Sequence, residues 1–148
     1  MSNVRPLQMQ LNIHPLWTDD DTLMQVRVSL EGNGRQSWGE AYCYPEAFSQ
    51  FGQALIDFPN STSHEVKFEL GSTDPSYADH LLLRAFVYDG AGHCAVEFKA
   101  ESRGDSLASS SVRFAVPTEA ASLNEMGEKI VAWSLSPTEP FKFEGAGP

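Results

Sequence analysis

The chain has 148 residues, a formal net charge of −10, 41% hydrophobic and 20% charged residues, which is the size and balance of one folded globular domain. No apolar run approaches the roughly 18 residues that cross a bilayer, and Met1-Ser2-Asn3-Val4-Arg5-Pro6 leads into no apolar signal-peptide core, so the expected location is cytoplasmic. An acidic surface repels phosphate, which argues against nucleic acid and anionic membranes as partners and favours a basic protein.

Leu7, Met9, Leu11 and Ile13 alternate with polar residues, the period of a half-buried strand, and Pro15 ends the run. After the polar loop Thr18-Asp19-Asp20-Asp21-Thr22, a second strand carries Met24, Val26, Val28 and Leu30. Glu31-Gly32-Asn33-Gly34 supplies the positive-φ residues of a tight hairpin, and a third strand over 36–44 returns along the second. Pro45 suits a first helical position, and Phe48, Phe51, Leu55 and Ile56 recur at helical spacing until Phe58-Pro59-Asn60. Val66, Phe68 and Leu70 mark a fourth strand, followed by a loop over 72–78. Residues 80–89 form the most apolar strand, and Asp89-Gly90-Ala91-Gly92 turns it back into one lined by Cys94, Val96, Phe98 and Ala100. A last strand with Val112, Phe114 and Val116 leads to a second helix, with Thr118 as N-cap and Leu123, Met126, Ile130 and Trp133 as its buried stripe.

The expected fold is α+β, a single curved antiparallel sheet of about seven strands with two helices packed on one face. A sheet curled into a half-barrel around the first helix is the alternative. Residues 1–134 form the domain, and 135–148 read as a Pro/Gly-rich tail that Phe141 and Phe143 pin to the body or dock on a second copy. The halves echo each other: each runs strand, Gly-x-Gly turn, strand and Pro-led helix, with Tyr44-Pro45-Glu46-Ala47 matching Val116-Pro117-Thr118-Glu119-Ala120.

The sequence carries no enzyme signature and calls for no cofactor. His14, His64, His80 and His93 fall on separate elements without metal-ligand spacing, and Cys43 and Cys94 form no C-x-x-C pair. Cys94 faces the core near the hairpin while His80 stands at the far end of the neighbouring strand, which argues against a Cys–His dyad. Asp19-Asp20-Asp21 lacks the alternation and glycine of a calcium loop. Asn60-Ser61-Thr62 and Arg103-Gly104-Asp105 are chance matches to a glycosylation acceptor and an adhesion tripeptide.

Trp38, Glu40, Tyr42 and Tyr44 share one face of the third strand, opposite Ala41 and Cys43. If the small face meets the core, the aromatics and their acid stand outward, as anchors for a basic partner; bulk argues for the reverse. The hairpin Asp89-x-x-Gly92-x-x-Ala95-Val96-Glu97-Phe98 and the helix with Leu123, Met126 and Ile130 resemble those of small acidic bacterial immunity proteins of polymorphic toxin systems, the WapI-type group, over residues 40–133. That resemblance implies a cytoplasmic inhibitor that binds and blocks a toxin domain. Two readings follow. One is a non-enzymatic acidic protein-binding domain using Asp19, Asp20, Asp21, Trp38, Glu40, Tyr42 and Tyr44. The other is a small-molecule-binding domain, with an apolar pocket between sheet and helices lined by His80, Arg84 and Tyr88.

Overall fold

The structure, a computed structural model, describes residues 9–72, 79–104 and 107–145. Leu7, most of the 72–78 loop and Asp105 of the tripeptide lie outside the described residues. The elements run β1 (Met9–Thr18), β2 (Met24–Gly32), β3 (Arg35–Cys43), α1 (Pro45–Ile56), β4 (Glu65–Gly71), β5 (Asp79–Val87), β6 (Cys94–Ser102), β7 (Ser110–Thr118), α2 (Ala120–Ser134) and β8 (Phe141–Gly145). The α+β class and antiparallel pairing are as expected; the single seven-stranded sheet is not. Two four-stranded sheets form instead, ordered β3-β2-β1-β8 and β4-β5-β6-β7. Alternation tells which face of a strand is buried but not which strand lies beside it, and β3 and β4, separated by α1, end different sheets.

The segment read as a tail contains β8, which pairs with β1 from Met9↔Gly145 to Ile13↔Phe141. Phe141 and Phe143 are buried in this chain's own core. Because β8 stops at Ile13, no described strand pairs with Pro15 on that side, and its missing N–H leaves no ladder bond to β8 unmade. So β1 passes Pro15 with a register shift and runs on to Thr18 instead of ending there.

One core joins both sheets and both helices, from Leu11, Val26 and Val28 in the first sheet through Phe48, Leu55 and Ile130 to Leu83 and Phe98 in the second. Phe48 and Phe51 of α1 stack near Phe68 of β4 at 4.8 and 5.3 Å, and Trp133 of α2 meets Phe141 of β8 at 5.7 Å. The helices cross at Gly52 and Gly127. A Cβ on Gly52 would stand 2.7 Å from the Gly127 oxygen, and one on Gly127 would stand 2.5 Å from the Gly52 oxygen. Asn124 of α2 donates to the Leu55 and Phe58 carbonyls at 2.9 and 2.7 Å, tying α2 to the end of α1. Pro45 opens α1 as expected, whereas α2 starts after Glu119, and Thr118 is the last residue of β7 rather than the N-cap.

The two halves do correspond, but one hairpin out of phase with the pattern of Gly-x-Gly turns. The β2–β3 register opens at Met24↔Cys43 and that of β6–β7 at Cys94↔Thr118. In the turn between β1 and β2, Asp19 Oδ1 accepts from the amides of Asp21 and Leu23 at 2.8 and 3.0 Å. In the turn between β5 and β6, Asp89 Oδ1 accepts from Ala91 and His93, both at 3.0 Å. The fourth residue of each turn has positive φ, 70° at Thr22 and 89° at Gly92. Each half is thus four strands and a helix, and the first borrows its outermost strand, β8, from the far end of the chain.

Candidate functional site: an acidic and aromatic cleft beside an edge strand

Ala41 and Cys43 of β3 are buried, so its small face is the inner one. The reason lies at Gly39, where a Cβ would stand 3.0 Å from Ala100 Cβ and 3.2 Å from Leu81 Cδ1. β3 presses so closely on the second sheet that small side chains alone fit beneath it. The large side chains stand outward, with Trp38, Tyr42 and Tyr44 at 54%, 52% and 50% exposure. Glu40 accepts from Arg27 Nε at 2.8 Å and Nη2 at 2.5 Å. The Arg27 guanidinium lies 4.3 Å from the Trp38 ring centre, and Trp17 meets Tyr42 edge-on at 6.0 Å.

Register brings the acidic loop to this surface. Thr18 pairs with Met24, and Met24 with Cys43, so the Asp19-Asp20-Asp21 turn stands at the same end of the sheet as Tyr42 and Tyr44. Asp19 spends its carboxylate on the turn; Asp20 and Asp21 are exposed.

Farther along β3 a cleft of about 620 Å³ opens between its outer residues and the ends of β5, β6 and β7. Trp38, Glu40 and Tyr42 line one side, Asp79, His80 and Glu101 the other. Among the described residues the lining holds three carboxylates and no Lys or Arg. Two of those carboxylates already have cations, Glu40 with Arg27 and Glu101 with Lys99 at 3.3 Å and Arg103 at 2.6 Å. His80 is 2% exposed, its Nε2 lies 2.6 Å from Glu69 Oε2, and its Nδ1 has no hydrogen-bond partner among the described residues.

The two sets of expected site residues are therefore sorted differently. Trp38, Glu40, Tyr42 and His80 share one cleft, while Arg84 and Tyr88 stand apart from it. Arg84 is bonded to Glu97 and Glu65, both at 2.9 Å, and lies over Phe86 at 4.0 Å. Tyr88 stacks on His93 beside the β5–β6 turn. Between sheets and helices the space expected for a pocket holds Phe48, Phe51, Leu55, Phe68 and Met126. Asp79 and Glu101 were missed as site residues. The register Asp79↔Ser102 and His80↔Glu101 sets them at one end of the second sheet, and the packing of β3 on that sheet at Gly39 brings them to the cleft, which no local motif announces.

The thiols are unsuited to nucleophilic work. Burial pushes Cys43 up to about 12, and burial together with the Asp89 charge raises Cys94. Cys94 pairs with Val87, at the opposite end of the strand from His80. Among the described residues no group of three or more His, Cys, Asp or Glu is arranged to hold a metal ion, and no helix is long and apolar enough to cross a membrane.

No protein-family model and no curated protein matches the chain. Among solved structures, the plant transcriptional regulator PBF-2 is similar at 9% identity, with a TM-score of 0.49, over 86% of this chain and 76% of that one.

Proposed function

We propose that this chain is a non-enzymatic domain that captures a basic polypeptide. The contact strip runs from Asp20 and Asp21 past Tyr44, Tyr42, Glu40 and Trp38 into the cleft. The observation that carries this reading is the shared end of the first sheet, where the acidic turn and the exposed aromatics of β3 meet. Because Glu40 and Glu101 are partly neutralised, attraction comes chiefly from the turn and from the net charge of −10. Charge of that kind speeds encounter, and desolvated aromatics hold the complex afterwards. On the resemblance to immunity proteins, that partner would be a basic toxin domain met in the cytoplasm.

The test is a tagged pull-down at low and high salt, followed by binding kinetics with the basic protein recovered. Asp20→Asn with Asp21→Asn should slow association and flatten its salt dependence. Trp38→Ala or Tyr42→Ala should speed dissociation by about tenfold or more. Unchanged kinetics in both sets would sink the proposal.

A second reading, a small polar ligand in the cleft, is favoured by the unpartnered His80 Nδ1 and by a volume in the usual range for such sites. Thermal-shift screening that finds stabilising small molecules, with the shift lost in His80→Phe, would support it over the first.

A further inference from the structure

Edge strands are open templates for another strand, and proteins blunt them with Lys, Pro, shortness or cover. Four strands end the two sheets: β3, β8, β4 and β7. β8 has five residues and carries Lys142, β4 carries Lys67 and lies against α1, and β7 carries Arg113 and Pro117. β3 has nine residues, and after Arg35 it contains neither Lys nor Pro. Among the described strands it is the unguarded edge.

Its free backbone groups follow from the hairpin. Asn33 and Gly34 have φ of 53° and 72°, a two-residue turn of the kind that closes on a hydrogen-bonded pair, here Gly32↔Arg35. Hydrogen-bonded and non-hydrogen-bonded pairs alternate from there. Arg35, Ser37, Gly39, Ala41 and Cys43 thus point their N–H and C=O at β2, while Gln36, Trp38, Glu40 and Tyr42 point theirs away from it. Three of those four, Trp38, Glu40 and Tyr42, line the cleft, and no described strand pairs with that edge.

We infer that the partner binds as an extended strand added antiparallel or parallel to β3, its backbone bonded to Trp38, Glu40 and Tyr42 and its basic side chains falling at every second position. This rests on the basic-partner reading above and specifies its mode. The backbone bonds give affinity without sequence demand, and the alternate residues give selectivity. A cation on the outer face of the added strand lies across from Glu40, whose charge Arg27 already meets in part, and beside the exposed Tyr42 ring, while Arg27 covers one face of Trp38. From Trp38 to Tyr42 the strand spans roughly 13 Å, enough to register a segment of about five residues.

The probe is a ten-residue peptide alternating arginine and threonine, titrated into the full chain and followed by amide shifts and hydrogen exchange. Strand addition predicts slowed exchange at the Trp38, Glu40 and Tyr42 amides, with Ser37, Gly39 and Ala41 already slow in the free protein. N-methylation of one alternate set of peptide amides should weaken binding at least tenfold, and of the other set less than twofold. Peptide binding that ignores the methylation set and leaves exchange at β3 unchanged overturns strand addition and leaves the basic-partner reading standing. No binding at all also overturns strand addition, and the kinetics of the Asp20 and Trp38 variants with the recovered partner then decide the broader reading.

Discussion

Asp19 and its neighbours have equal formal charge and unequal tasks. Asp19 accepts two backbone amides of its turn, so Asp19→Ala should lower the Tm by several degrees, whereas Asp20→Ala and Asp21→Ala should leave it within a degree or two. Thermal melts of the three single variants check this, and an equal effect of all three would remove Asp19's special place. Glu97 offers the pH counterpart. Burial pushes its carboxyl up, but hydrogen bonds from Arg84 at 2.9 Å and Arg113 at 2.6 Å outweigh that and hold it below the usual glutamate range. A carboxyl lowered by folding adds stability above its unfolded pKa, and that stability is lost as pH falls through the folded one. Glu97→Gln should therefore cost about 1–2 kcal/mol at pH 7, the exposure of Arg113 discounting its share. The difference from wild type should shrink once the pH falls below that lowered range, as urea titrations at several pH values would show. The acidity of the 19–21 loop was plain in the sequence; that its first carboxylate is consumed by the turn was not, since a run of three identical residues gives no clue to which one folds back.

At the scale of elements, the helix crossing runs against propensity. Alanine is the better helix former by about 1 kcal/mol, yet Gly52→Ala would drive a methyl to 2.7 Å from the Gly127 oxygen and 2.9 Å from Val131. Backbone cannot yield as a side-chain end can, so overpacking of about 1–3 kcal/mol should win and lower the urea midpoint. Gly127→Ala should act alike, and stabilisation by either would mean that the helices can part at little cost. Most strands and both helices were legible because period-2 and helical spacing are local properties. Pairing was not. The hydrophobic faces of β3 and β4 look like those of any neighbours, and nothing within the five residues of β8 says that they belong beside β1. The inward face of β3 misled for a related reason: bulk argues for burying Trp and Tyr, but Gly39 against Ala100 leaves no room for bulk.

For the whole molecule, the borrowed strand sets the limit of what can be removed. Phe141 and Phe143 are buried at 6% and 3% exposure, and losing a buried Phe costs about 3–5 kcal/mol. Two such losses approach the whole stability of a typical domain, about 5–15 kcal/mol. A chain truncated after Pro140 should therefore fail to fold cooperatively by circular dichroism and urea titration, although α1, α2 and seven strands are intact in sequence. A cooperative transition near the wild-type midpoint would show that β8 is dispensable.

Synthesis runs from β1 toward β8, so the half made first is the half finished last. While the second sheet has all four strands in one stretch from Glu65 to Thr118, the inner strand β1 of the first must wait, with Met9, Leu11 and Ile13 uncovered on one flank, until residues 141–145 have been translated. Joining Gly145 to Met9, which are already paired, and opening the chain between Ser134 and Phe141 would turn it into two successive four-strand-and-helix units. In that rearranged order each sheet could close as soon as it was made, and the nascent chain would no longer carry an open flank to its end.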